Sequence, residues 1–527
     1  MSTLDNRFSR FLFYFLLLVI TWLPLPYGSK PEWAMGILQA GVFALSAFWL
    51  AGYGFGHLSV TSAFRKGMPV FVGLLLVAFW VWVQSLPLPA TLVQQLSPVA
   101  WSVQVEAASA LNLPVPGSLY LSLDPFASQV HALLSLAYAL LFAMVLLLVS
   151  DPKRLRVIAW VFVISGTFQA LFGSLSTLSG AEVLLFGPKE TGQGVASGTF
   201  VNRNSFSGCL EMTLAVGMGL LLGQLNERRA HDWHEFWRQT LKTLLSNKVI
   251  LRTAIAIMVV GLVMGRSRMG NTAFFSSLMI AGVLYVICRK KLTRGVVILF
   301  VSLFVIDTII VSQWFGLEKV VERLEQTSTQ TETRDDVNPQ TLAAIPQFAL
   351  TGSGAGAYYT TLPQYHDGSW RGFYDLAHND FLQFPLEFGS PAYAILGLMV
   401  LLTAWQSIQA MRQRRNMLMV GMGFAAFMGI LAIMIHSSVD FNLQIPSNAA
   451  YFVCMMALGW LARYLPTLAG ASRRPPPEKD KIKAFKGIGS YCIKAKSTSS
   501  FCALCFCRIK AMMKALLDCR SSRYSTL

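Results

Sequence analysis

The residues of this chain best equipped for chemistry fall in four polar clusters. In Gly198-Thr199-Phe200-Val201-Asn202-Arg203-Asn204, Arg203 offers a planar, five-donor fork to a phosphate, and Asn202 and Asn204 add amide donors. Snorkelling of Arg203 to lipid phosphates is the bland alternative. In Gly265-Arg266-Ser267-Arg268-Met269-Gly270-Asn271, two arginines stand between apolar runs with almost no loop, and flanking glycines let a ligand come close to the backbone. The third cluster runs from Arg334 through Gly352-Ser353-Gly354-Ala355-Gly356 to Tyr374-Asp375-Leu376-Ala377-His378-Asn379-Asp380. A histidine so placed is either a general base working near neutral pH or a structural residue. The glycines lack the strand–helix unit of a dinucleotide site and read as a tight turn. In His436-Ser437-Ser438-Val439-Asp440-Phe441-Asn442, Asp440 could orient a histidine, pair with an arginine or cap a helix.

Two further patterns carry less. His231-Asp232-Trp233-His234 has two histidines three apart without Cys or Glu partners, and Cys502-x-x-Cys505-x-Cys507 has no second half at ligand spacing. No metal site and no cofactor is expected. Cys492, Cys502, Cys505, Cys507 and Cys519 lie in the C-terminal tail, and Cys209, Cys288 and Cys454 sit in or beside apolar helices. None falls in a segment read as external, so no disulfide framework is implied.

The elements that must position these clusters are membrane helices. The hydrophobic fraction of the 527 residues is 54% and the charged fraction 13%, against about a quarter charged in a soluble chain. A surface so poor in charge has to meet lipid. Apolar stretches of roughly 17–25 residues, enough to cross the hydrocarbon core, predict helices near 11–26, 32–53, 69–87, 129–149, 156–176, 205–223, 249–264, 272–288, 295–313, 391–407, 416–435 and 447–464. The expected fold is an all-α polytopic membrane protein with about twelve transmembrane helices. The net charge of +17 is no nucleic-acid footprint: residues 471–527 hold 13 Lys/Arg and 3 Asp/Glu, or +10, leaving +7 for the membrane body.

Basic residues fall in alternate loops. One set holds Arg7/Arg10, Arg65/Lys66, Lys153/Arg154, Arg228/Arg229, Arg289/Lys290/Lys291, Arg412/Arg414/Arg415 and the basic tail, whereas 88–128 has no Lys or Arg. The positive-inside rule makes the first set, and both termini, cytoplasmic. Arg266 and Arg268 then occupy an outer hairpin against the trend, a placement that asks for a function. Two outer segments exceed a turn: 88–128, read as packing across the outer face, and 314–390, between the ninth and tenth helices. The latter opens on a helix-like run, Leu317 to Gln326, and its aromatics Tyr358, Tyr359, Tyr365, Trp370, Phe373 and Tyr374 argue for order. The first apolar stretch lacks a small-residue cleavage site and reads as an uncleaved helix. A membrane domain, 1–465, is thus followed by a basic, flexible cytoplasmic tail, 466–527, able to touch anionic headgroups.

Taken in order, the clusters resemble the O-antigen ligase and O-antigen polymerase superfamily, bacterial enzymes that move lipid-carried glycans on the outer face of the inner membrane. The resemblance rests on Phe200-Val201-Asn202-Arg203-Asn204, Ser267-Arg268-Met269-Gly270, Gly352-Ser353-Gly354, Ala377-His378-Asn379-Asp380-Phe381-Leu382-Gln383 with Glu387-Phe388-Gly389, and His436-Ser437-Ser438-Val439-Asp440-Phe441. It spans roughly residues 11 to 465. Met269 replaces a glycine usual in the Ser-Arg motif, and the tail after Ala471 matches nothing in the family.

The resemblance implies catalytic roles for His378, Arg268 and Arg334, with Arg203, Asn204, Arg266, Asn379, Asp380 and Asp440 around the substrate. It implies a periplasmic 314–390 loop, an undecaprenyl-diphosphate-linked glycan donor, a lipid A-core or growing-glycan acceptor, and surrounding membrane lipids as partners. Guanidinium groups aimed at a leaving diphosphate can replace a divalent metal, and His378 would take the proton of an attacking sugar hydroxyl. Ligase, polymerase and protein O-oligosaccharyltransferase share these motifs. A transporter or flippase for the same lipid-linked glycan would instead want charges lining a mid-membrane pore.

The alternation of loops yields a first expected outcome. Cysteines introduced singly at Gln340 and Thr240 should differ in labelling by an impermeant thiol reagent on outer-membrane-permeabilised cells, with 340 labelled and 240 protected. The reverse pattern would overturn the topology.

Overall fold

The computed structural model describes residues 3–224, 247–289, 334–366, 368 and 373–466. The expected ninth helix 295–313, the run Leu317 to Gln326, the His231/His234 pair, Trp370 and all but the first residue of the expected tail lie outside these. Helices stand at every other predicted span: α1 (Thr3–Trp22), α2 (Glu32–Gly54), α3 (Ser62–Gln84), α6 (Pro125–Leu148), α7 (Pro152–Leu178), α8 (Arg203–Gly223), α9 (Asn247–Met264), α10 (Arg268–Arg289), α14 (Ser390–Gln413), α15 (Met417–His436) and α16 (Pro446–Tyr464). Eight are long and apolar enough to cross a membrane, and Val249–Met264 is a shorter apolar helix. The protein is an all-α polytopic membrane protein.

Local chemistry sets the ends. Asp124, Asp151 and Asn416 each begin a helix by accepting backbone N–H groups: Ala127 at 2.9 Å, Lys153 at 2.8 Å and Leu418 at 3.0 Å. Helix α1 stops at Trp22 rather than the expected 26, because Pro24 and Pro26 cannot continue it. Helix α3 starts seven residues before the expected 69, where Thr61 Oγ1 accepts from Phe64 N at 3.1 Å. Apolar windows locate a span and overlook its cap.

The segment 88–128 folds into α4 (Ala90–Leu96), α5 (Pro98–Ala110) and a two-residue antiparallel ladder, Leu88–Pro89 against Ser118–Leu119. A second such ladder pairs Val183–Leu184 with Gly187–Pro188. Three further helices lie between residue 333 and α14: α11 (Arg334–Ala344), α12 (Tyr358–Thr361) and α13 (Asp380–Phe388). They share a core in which Ala100, Val337, Phe348, Tyr358, Ala377 and Leu386 are buried together. Burial of that kind supports order in the aromatic loop.

At the centre, α8 lies against α15, with 94% of the α8 span and 78% of the α15 span inside the protein. Glycines let the two backbones meet: a Cβ on Gly421 would lie 3.0 Å from the carbonyl carbon of Gly219, and one on Gly219 would lie 2.7 Å from Ala425 Cβ. Small residues at such crossings are what membrane helix pairs need. Gly421→Ala should lower the thermal midpoint in detergent, by the equivalent of about 1–3 kcal/mol of overpacking. Gly36→Ala, whose Cβ meets nothing within 4 Å, should not. Equal midpoints for the two variants would contradict this close packing.

Candidate active site

Two helices start side by side with an arginine as first residue. Asn202 caps α8 by accepting from Asn204 N at 2.7 Å, which sets Arg203 in the first turn. Ser267, buried, accepts from Gly270 N at 3.2 Å and sets Arg268 at the start of α10. The helices touch one turn below: a Cβ on Gly270 would stand 2.6 Å from Ser207 Cβ, and Ser207 Oγ donates to Arg203 O at 3.0 Å. Their N-terminal dipoles therefore add where Arg203 and Arg268 are exposed, an arrangement that favours an anion. Arg266, also exposed, stands two residues before Arg268 on left-handed backbone, φ 47°. Beside Arg203 lies a cavity of about 300 Å³ whose lining includes Thr191, Ser197 and Asn202.

The histidine side is built on α13. Asn379 caps this helix, accepting from Phe381 N at 3.0 Å. Asp380 is buried; its Oδ2 accepts from Ser437 Oγ at 2.6 Å and Leu443 N at 3.0 Å, and its N–H donates to Ser437 O at 2.9 Å. These bonds tie the Ala377–Asp380 turn to the hairpin after α15. His378 is half-buried on left-handed backbone, φ 51°, with its ring edge-on to Phe441 at 4.6 Å between centroids. The Gly352–Gly356 segment, expected as a turn, is also a packing seam. Ser353 N donates to Leu386 O at 2.8 Å, and a Cβ on Gly352 would lie 2.6 Å from the carbonyl carbon of Glu387. An apolar cavity of about 430 Å³ opens next to α13, bordered by Asp380 and Ser437 and lined by Phe384, Met399, Phe452 and Met456.

Asp440 joins the two sides. Its buried carboxylate accepts from Asn204 Nδ2 through Oδ2 and from Phe441 N at 2.8 Å through Oδ1, and its carbonyl accepts from Asp380 N at 3.3 Å. Among the described residues the Asp440 carboxylate serves an asparagine and its own turn, and it stands 3.9 Å from His436 Nε2. One contact series thus links His378, Asp380, Asp440, Asn204, Arg203 and, through Ser207 and Gly270, Arg268. Arg334 opens α11, which packs on α13. Sequence reasoning missed Glu211: fully buried in α8, it meets the equally buried His436, Oε1 to Nδ1, at 2.7 Å. The available signal was a single acid within an apolar span. Among the described residues, no group of three or more His, Cys, Asp or Glu is arranged to hold a metal ion.

Burial dominates the carboxyls of α13: it pushes both Asp380 and Glu387 up to about 7. With folded values above the free-acid ones, their contribution to stability is full below the free-acid range and is lost as pH rises through about 7. Hydrogen exchange over 377–388, corrected for intrinsic rates, should therefore show weaker protection at pH 8 than at pH 5.5. Asp380→Asn with Glu387→Gln should flatten that difference. An unchanged pH dependence in the double variant would sink the assignment.

Residues 253–397 match the family model described as O-antigen ligase. The matched stretch contains Arg266, Arg268, Arg334, His378, Asn379 and Asp380, and leaves Arg203, Asn204, Glu211, His436 and Asp440 to either side. No curated protein matches the chain. Residues 253–397 are thus similar to the O-antigen ligase family, and the helical membrane fold around them agrees with that similarity.

Proposed function

We propose that the chain is a glycosyltransferase that moves a glycan from undecaprenyl diphosphate to a sugar hydroxyl at the periplasmic face of the inner membrane, in the manner of an O-antigen ligase. The observation that carries this reading is the contact series from His378 to Arg268, which joins a candidate base to two arginine-bearing helix N-termini. The acceptor oxygen attacks the anomeric carbon and its proton passes to His378. The bond to the diphosphate breaks with its electron pair, and the leaving group's added charge falls to Arg268 and Arg334, with Arg203 and Arg266 nearby. Attack opposite the leaving group inverts the anomeric carbon. Asn204 and Asn379 border the substrate, although their side-chain oxygens and amides also serve the fold. The apolar cavity beside Asp380 suits the lipid part of either substrate. The unassigned acceptor class is addressed by the glycans of a deletion strain: uncapped lipid A-core, shortened chains or unglycosylated proteins mark ligase, polymerase and protein O-oligosaccharyltransferase respectively.

Loss of a general base typically costs about 10²–10⁴-fold in turnover. His378→Ala should show a deficit of that order while retaining lipid-linked donor binding. Arg268→Ala should weaken both binding and transfer, and Arg268→Lys should rescue poorly, because an ammonium lacks the planar fork. Donor binding and transfer rate, measured on membrane-inserted protein, decide the matter. A wild-type rate for His378→Ala would remove the catalytic assignment and favour a transporter.

A further inference from the structure

The starts of α8 and α10 and the Ala377–Asp380 turn form a mouth, and beneath it lies a buried polar group that the transfer chemistry does not use. Glu211 and His436 are fully buried, and Asp440 nearly so. His436 faces a carboxylate with each ring nitrogen: Nδ1 stands 2.7 Å from Glu211 Oε1, and Nε2 stands 3.9 Å from Asp440 Oδ2. Burying such groups is costly before pairing, and an apolar trio would close these helices at lower cost. The pairing is also incomplete. Among the described residues, Glu211 Oε2 and His436 Nε2 are buried with no hydrogen-bond partner. Buried orphans of this kind call for a reason beyond packing.

The location supplies one. Glu211 lies two turns along α8 from Arg203 and Asn204, so it shares a rigid rod with the arginine side. His436 ends α15, and the segment that follows, Ser437 to Leu443, holds Asp380 through Ser437 and Leu443 and holds His378 through Phe441. Asp440 sits where the two meet, with Asn204 on one side and His436 on the other. We infer that His436, held between Glu211 and Asp440, is a positioning residue for glycan transfer: it sets the spacing between the arginine side and the histidine side of the mouth. The inference rests on the proposed transferase reading. A misplacement of about 1 Å between reacting groups can cost about 10²-fold in rate without loss of binding.

The test uses the full-length protein reconstituted in membranes, with undecaprenyl-diphosphate-linked glycan as donor and rates expressed per folded molecule. E211Q, H436Q and D440N should each lower kcat by about 10²-fold while the donor KM stays within about twofold. E211Q combined with H436Q should be no slower than the slower single variant, because the pair acts as one unit. A purely structural role would reduce the amount of folded protein and leave kcat per folded molecule intact, and that result overturns the inference. So does a wild-type kcat for H436Q beside an inactive H378A. A wild-type rate for H378A would instead overturn the transferase reading on which the inference stands. Should H436Q fail to fold, D440N carries the test at the outer end of the joint, and a wild-type kcat there is equally decisive.

Discussion

Hydrocarbon offers no hydrogen-bond partner, and the architecture of this protein follows from that constraint. Backbone groups close into helices, and polar side chains inside the bundle turn to a carbonyl of the preceding turn or to one another. Ser46 donates to Val42 O at 2.8 Å, Thr403 to Met399 O at 2.8 Å, and Ser165 meets Tyr451 Oη at 2.9 Å. Glycines on α8 and α15 then bring backbone against backbone, since lipid supplies no hydrophobic drive to hold helices together. Apart from the buried Glu211–His436 pair, groups too polar for such local repair gather where helix starts and hairpins can carry them.

Much of this was legible in the sequence, and the divide between what was and what was not is physical. Apolar length marks a span without reference to any other residue, so the helices emerged at nearly every expected position. Arg266 and Arg268 advertised themselves by defying the charge rule of their loop. Glu211 needed a partner 225 positions away, and no local pattern encodes that pairing. Asp440 was ambiguous for the same reason: its hydrogen-bond partner Asn204 lies on another helix. The glycines of 352–356 were read for their backbone freedom, while the close approach of Glu387 and Ser122 that also requires them is a tertiary fact.

The mouth also illustrates how electrostatics is divided between backbone and side chain. Two helix starts provide fixed partial positive charge, and the arginines add full charge on flexible stems. Opposite them the acids are not free counterions. Asp380 and Glu387 are enclosed, and burial favours their neutral forms. An anionic group approaching Arg203 and Arg268 thus meets less repulsion from these two carboxyls than it would from fully ionised ones.

Arg266 and His378 share one further property. Both are carried on left-handed backbone, at φ 47° and φ 51°, a conformation that costs a non-glycine residue roughly 1–2 kcal/mol. Glycine at either position would relax the chain and remove the side chain at once. A selection acting on robustness alone would therefore drift toward glycine at both places and remove the proposed base together with one of the arginines near it. A thermostabilised variant of this protein obtained without a functional screen should be sequenced first at 266 and 378, because folding and chemistry want different residues there.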